Sequence, residues 1–146
     1  MTKLETPKNV ILYADDDQDD LMLIKDAFDK YSTHIEVITV ENGNEALSYL
    51  NNLSSLDPVP CLIILDINMP RLNGKEVLKE IRVMERFKHT PVVLFSTSSH
   101  YSEKEFAEDH NATFILKPMD MGGLEEVANK FIEQCSADVR NDLRKN

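Results

Sequence analysis

Six residues able to do chemistry stand at the ends of short apolar runs. Asp15 and Asp16 follow Val10–Ala14, Asp66 follows Cys61–Leu65, Ser96 and Thr97 follow Val92–Phe95, and Lys117 follows Phe114–Leu116. Three carboxylates brought together at neutral pH disfavour joint ionisation, so they need either a raised pKa or a shared cation. A cation is the simpler answer. These turns offer oxygen ligands and neither histidine nor cysteine, which points to Mg²⁺, with Mn²⁺ able to substitute, rather than zinc. A lysine and hydroxyl donors beside such a centre would neutralise anionic oxygens during a transfer reaction.

These residues act together only if the elements carrying them converge. The four runs are nearly continuous in apolar residues, as parallel strands covered on both faces are. A fifth candidate, Ile35–Val40, is β-branched but interrupted by Glu36 and Thr39, which suits a strand nearer the sheet edge. Helical stripes lie between the runs: Leu21, Ile24 and Phe28; Ala46, Leu47, Leu50 and Leu53; Val77, Leu78, Ile81 and Met84; and Leu124, Val127, Phe131 and Cys135. Ser102 and Glu105 read as a capping box opening a fourth helix that carries Phe106. Strict alternation predicts an α/β fold: a doubly wound, five-stranded parallel sheet, (βα)5, with helices on both faces. Ligands of such sheets bind at the carboxyl ends of the strands. With strands roughly 5 Å apart, Asp15, Asp16 and Asp66 share a cation if the first and third strands are neighbours, and Lys117 reaches across from roughly 10 Å.

Asp15-Asp16, the segment Leu65-Asp66-Ile67-Asn68-Met69-Pro70 leading to Gly74, Ser96-Thr97 and Lys117-Pro118, in this order, resemble the receiver domain of two-component response regulators. The resemblance assigns residues 8–137 to the receiver, with tails at 1–7 and 138–146, and implies the flavodoxin-like form of the fold. It makes Asp66 the phosphorylated residue. Asp16 becomes a direct Mg²⁺ ligand, Asp15 a partner acting through a water, and the carbonyl of Asn68 completes the metal set with Asp66. Lys117 pairs with phosphoryl oxygens, Ser96 donates a hydrogen bond to them, and Thr97 lies beside the site through its backbone. The Lys117–Pro118 peptide is expected to be cis.

The resemblance also implies partners and a switch. The phosphoryl donor would be a phosphohistidine on a sensor histidine kinase or a histidine phosphotransfer protein, and output would pass to another protein. The chain would be a single-domain, chemotaxis-regulator-like response regulator, a monomer or weak homodimer, with no enzymatic activity beyond its own phosphorylation and dephosphorylation. The acidic run after Asp15 and the turn Ser96-Thr97-Ser98-Ser99 are similar to those of small receivers paired with phytochrome-type or other hybrid kinases. The switch would run from Ser96 to Phe114. Receivers more often carry threonine and tyrosine at these two places, so the chain lacks a methyl group at one end and a hydroxyl at the other.

Composition narrows the alternatives. The 146 residues, 42% of them hydrophobic, suit one domain. With 26 acidic residues against 16 basic, the net charge of −10 leaves no footprint for nucleic acid. No apolar run approaches a membrane span, the first residues lack the apolar core of a secretory signal, and Cys61 and Cys135 sit in apolar stretches, so a cytoplasmic protein with buried, reduced thiols is expected. Asp17, Asp19 and Asp20 do not continue a calcium loop, because Asp20 stands where glycine is required and Asp26 where glutamate is; they are assigned to capping the first helix. A phosphatase of the haloacid-dehalogenase type would need a second Asp where Asn68 stands. A flavin site would need to cradle phosphate where Asp15–Asp20 repel it. Lys117 is expected to add little core burial, Asn73-Gly74 to form a flexible turn, and His34, His89, His100 and His110 to be solvated.

Overall fold

The apolar runs become strands because alternate residues of each can be buried on opposite faces of one sheet. The structure, a computed structural model, describes residues 8–98, 100–119 and 124–143. Strands β1 (Asn9–Ala14), β2 (Ile35–Val40), β3 (Leu62–Asp66), β4 (Val92–Ser96) and β5 (Thr113–Leu116) alternate with helices α1 (Gln18–Ala27), α2 (Gly43–Asn52), α3 (Gly74–Val83), α4 (Tyr101–Asp109) and α5 (Leu124–Glu133). A 3-10 turn at Asp29–Tyr31 follows α1, and a further helix, α6, spans Ala137–Leu143. All strand pairs are parallel, in the order β2-β1-β3-β4-β5. Thus β1 lies beside β3, as shared carboxylates require, and β2 takes an edge.

Each strand divides its side chains between two cores. Ile11, Tyr13, Ile64, Phe95 and Ile115 pack with α1, α5 and α6 on one face, while Leu12, Leu65, Val92 and Leu94 pack with α2, α3 and α4 on the other. Register then sets the site. Ala14 pairs with Leu65, so Asp15 and Asp66 leave the sheet side by side, and Ser96 pairs with Leu116, one residue before Lys117.

Several expectations are corrected. The helix α6 lies in the stretch read as a tail: burial of Val139 and Leu143 contributes roughly 1.5–3 kcal/mol each, enough to hold a helix too short to stand alone. Ser102 and Glu105 form no capping box, because α4 begins a residue earlier, at Tyr101, behind an extended His100 that makes no side-chain cap. Gly74 is no flexible turn. It opens α3 behind an Asn73–Glu76 capping box, and a Cβ there would stand 2.5 Å from the Asp66 carbonyl oxygen. Glycine lets α3 close on the end of β3. Two of the four histidines are half-buried rather than solvated: His110 stacks on Phe106 at 4.1 Å, and His34 has a buried Nε2. Residues 1–7, Ser99 and 144–146, which carry parts of the expected tails and turn, lie outside the described residues. Among the described residues, no helix is long and apolar enough to cross a membrane.

Candidate functional site

Asp15 leaves β1 fully buried, and both of its oxygens are engaged. Oδ1 accepts the Asp17 N–H at 2.9 Å, while Oδ2 accepts the Tyr13 hydroxyl at 2.5 Å and the Lys117 ammonium at 2.8 Å. Tyr13 reaches Asp15 because residues two apart on a strand share a face. Burial, then the charge of Asp15, holds the Tyr13 phenol far above its ordinary pKa, so it stays a donor. Asp16 is exposed. Asp17 caps α1, its carboxylate accepting the N–H groups of Asp19 and Asp20, so the capping assigned to this run falls to Asp17, while Asp19 and Asp20 stand in the first turn.

Asp66 ends β3 with 5% of its surface exposed. Its Oδ1 accepts the Asn68 N–H at 3.2 Å, and its Oδ2 lies 3.5 Å from Lys117 Nζ. Burial and repulsion from Asp15 push its carboxyl up to about 7, against the opposing pull of Lys117 and the Asn68 amide. Lys117 is 9% exposed, so the expectation of little burial fails. Its ammonium is drawn inward because Asp15, Asp20 and Asp66 surround it, at 2.8, 2.9 and 3.5 Å. Burial alone would lower its pKa, but hydrogen bonds to Asp15 and Asp20 and the nearby charges outweigh this and raise it.

Asp15, Asp16, Asp20 and Asp66 set four carboxylates against one ammonium, so the site is short of positive charge. Asp15, Asp16 and Asp66 each bring a carboxylate oxygen within 4.8 Å of the others, close enough to surround one cation. The donors are all hard oxygens, which fits Mg²⁺ or Mn²⁺. Asn68 is exposed beside them.

Ser96 is fully buried at the end of β4, with its hydroxyl oxygen accepting the Ser98 N–H at 3.0 Å. Thr97 is exposed and lines a cleft of about 60 Å³ together with Asp20, Lys117 and Pro118. Phe114 is half-buried on β5, against the second core, with the Lys104 ammonium 6.0 Å from its ring. The Lys117–Pro118 peptide is not cis, since no described peptide bond is. Trans is the lower-energy isomer of an X–Pro bond, and Lys117 meets all three carboxylates with it.

Two residues that shape the site escaped the sequence reading. Asp20 was assigned to capping, yet it grips Lys117; the signal was a run with more aspartates than one cap needs. Tyr13 was read as part of an apolar strand; the signal was a phenol, which seeks a partner when buried, two residues before Asp15.

The family model for the response regulator receiver domain matches residues 11–129. The response regulator Rcp1 of Synechocystis sp. is 33% identical over 100 residues, covering 67% of this chain and 68% of its own. The probable methanogenesis regulatory protein FilR2 of Methanothrix harundinacea is 28% identical over 126 residues, 85% of this chain and 81% of that one. Among solved structures, the phosphorylated cyanobacterial phytochrome response regulator RcpA superposes with a TM-score of 0.80 at 30% identity, covering 90% of this chain and 96% of that chain. The Mn²⁺-bound form of Rcp1 gives 0.74 at 28% identity, covering 85% and 91%.

Proposed function

We propose, from the premise that this chain belongs to the response regulator receiver family, that Asp66 is the residue that takes the phosphoryl group. Receivers are the phosphoacceptors of two-component phosphorelays, they interact with histidine kinases or phosphotransfer proteins, and they bind a divalent metal; the chain shares that function and that cofactor. One observation carries the assignment to Asp66. It ends the middle strand of the sheet within the acidic cluster and beside Lys117, and, unlike Asp15, whose oxygens are taken up by the Tyr13 hydroxyl, the Lys117 ammonium and the Asp17 amide, it keeps Oδ2 only loosely engaged, 3.5 Å from Lys117 Nζ.

In this reading an Asp66 carboxylate oxygen attacks the phosphorus of a phosphohistidine. The P–O bond forms as the P–N bond breaks, and the imidazole leaves with its ring nitrogen restored. Asp16, Asp66 and the Asn68 carbonyl would hold Mg²⁺, with Asp15 acting through a water, and the cation would supply charge neutralisation for the incoming phosphoryl oxygens. Lys117 gives up Asp66 to pair with those oxygens. Ser96 turns its hydroxyl from Ser98 toward them, Thr97 borders the site through its backbone, and Phe114 follows Ser96 inward. Hydrolysis of the acyl phosphate, in which water takes the phosphoryl group as inorganic phosphate and the Asp66 carboxylate is restored, is the chain's own resetting step, and it acts on no other substrate. The receiver unit takes in α6 and so extends over residues 8–143; it acts as a cytoplasmic monomer or weak homodimer, and passes its state on by protein contacts. A phytochrome-type or hybrid kinase as donor is supported by the likeness to RcpA.

The test is intact-mass analysis after incubation with acetyl phosphate and Mg²⁺. One labile phosphoryl group is expected on the wild type and none on Asp66→Asn. Labelling of Asp66→Asn at the wild-type rate overturns the assignment.

A further inference from the structure

Away from the carboxylates, two thiols face each other. Cys61 stands just before β3, at the end of that strand opposite Asp66, with its N–H bonded to the Val10 carbonyl at 2.8 Å. Cys135 lies in the connection between α5 and α6. The two Sγ atoms are 3.9 Å apart although 74 residues separate them in the chain. Both cysteines are free; Cys135 is buried and Cys61 half-buried. We propose that Cys61 and Cys135 form an oxidation site, a dithiol that hydrogen peroxide converts into an intramolecular disulfide.

The geometry asks little. A disulfide needs sulfurs about 2 Å apart, so the pair must close by roughly the same distance, through side-chain rotation and small shifts of the α5–α6 connection. Electrostatics favours one sulfur as nucleophile. The hydrogen-bonding contact with Cys61, and then the charge of Arg140 on α6, hold the Cys135 thiol below its ordinary range against the effect of burial. The Cys61 thiol is held above its own range by the hydrogen bond with Cys135 and by burial, which makes Cys135 the readier nucleophile. Arg140 also has a buried Nε with no hydrogen-bond partner among the described residues. That N–H is available toward a thiolate at Cys135, whose thiol already feels the Arg140 charge.

The Cys135 thiolate attacks one peroxide oxygen, the O–O bond breaks, and the departing hydroxide takes up a proton to become water. Cys135 is then a sulfenic acid. The Cys61 sulfur attacks the Cys135 sulfur, the S–O bond breaks, and the hydroxide leaves with the Cys61 proton as a second water. Two thiols and one peroxide give one disulfide and two waters, with the peroxide taking the two electrons. The bridge ties the end of α5 to the start of β3. One turn before Cys135, Phe131 packs edge-on to Phe95 at 5.1 Å, so the tie bears on the core beside Ser96.

The experiment treats the reduced full chain with one equivalent of hydrogen peroxide, then denatures it in iodoacetamide and measures intact mass and a non-reducing digest. The expected product carries no alkyl groups, weighs two hydrogens less than the reduced chain, yields a peptide pair containing Cys61 and Cys135, and reverts with dithiothreitol. Its Tm should rise by several degrees, as for a bridge closing a long loop. Cys61→Ser should stop at a sulfenic acid trapped by dimedone, and Cys135→Ser should consume peroxide more slowly than wild type. Alkylation of both thiols after peroxide, or disulfide-linked dimers in place of the internal bridge, overturns the proposal. No step depends on Asp66, so the result is independent of the phosphorylation reading.

Discussion

Asp20 and Lys117, 97 residues apart in the chain, meet at 2.9 Å above the carboxyl ends of the strands. Lys117 is thereby shared among three carboxylates, two of them buried. Its side chain is a structural element of the resting site as well as a candidate partner for phosphoryl oxygens.

The two ends of that contact should behave differently on removal. Lys117→Ala leaves Asp15 and Asp66 without their ammonium and is expected to cost about 3 kcal/mol in metal-free buffer. Asp20→Ala removes a part-exposed partner while Lys117 keeps two others, and should cost about 1 kcal/mol or less. Mg²⁺ should recover part of the first loss, because a cation replaces the missing charge. Urea unfolding of both variants, with chelator and with Mg²⁺, measures this; equal losses, or a Lys117→Ala loss indifferent to Mg²⁺, would contradict it.

Metal removal should also give stability a distinctive pH dependence. Asp66 has a carboxyl pushed up to about 7 from an ordinary 3.8, so between those values the folded chain holds a proton that the unfolded chain has released. Stability then falls as pH rises through that window. The raised pKa of Lys117 acts elsewhere: its contribution is present throughout the neutral range and is lost only at high alkaline pH. In chelator, wild type should lose stability relative to Asp66→Asn between pH 5 and 7.5, and Mg²⁺ should abolish the difference. Parallel pH profiles for the two proteins in chelator would refute it.

Tyr13→Phe tests the phenol beneath the site. It keeps the ring that meets Phe95 at 6.3 Å and deletes only the donor to Asp15 Oδ2. A hydrogen bond to a charged group contributes about 1.5–3 kcal/mol, and Lys117 still serves that oxygen, so a loss near the lower figure is expected. Phosphorylation by acetyl phosphate should slow because the Asp15 carboxylate is less firmly held. Unfolding curves and the initial rate of labelling, each unchanged from wild type, would remove Tyr13 from the site.

The strands and their polar ends were legible because burial on both faces leaves unbroken apolar runs, and Asp15, Asp66, Ser96 and Lys117 stand where those runs stop. Contacts made at long range were not. Asp20 reads as one more cap residue until the fold brings Lys117, just after β5, to the first turn of α1, and Cys61 and Cys135 read as separate core thiols. Likewise Arg82 is an ordinary helix arginine in sequence. In the fold its guanidinium donates to the carbonyls of His110 at 2.7 Å, Thr90 at 2.8 Å and Asn111 at 3.0 Å, tying together the loops before β4 and β5. The helix α6 escaped because its signal is a single pair at helical spacing, Val139 and Leu143, in a seven-residue segment otherwise rich in polar residues, too short to read as a stripe.

The proposed switch has a definite starting position. The Ser96 hydroxyl oxygen accepts the Ser98 N–H at 3.0 Å, and Phe114 is already half-buried against the second core. Activation must therefore release the Ser98 amide as Ser96 turns to the phosphoryl group, which makes that amide a direct reporter. The ring has less to do. A phenyl lacks the polar tip that would hold a tyrosine at the surface, and the Lys104 ammonium at 6.0 Å adds only about 0.5 kcal/mol of attraction at an exposed site. Inward and outward positions of Phe114 thus differ little in energy, and a resting population already inward leaves a smaller change for phosphorylation to make. With beryllofluoride and Mg²⁺, amide shifts in wild type should be large at Ser98 and modest over α4, β5 and α5, while Phe114→Tyr should enlarge the changes on that surface without altering the one at Ser98. If the tyrosine variant shows no larger change, or if the shifts fall on another face and leave Ser98 and Phe114 untouched, the switch does not run through this pair.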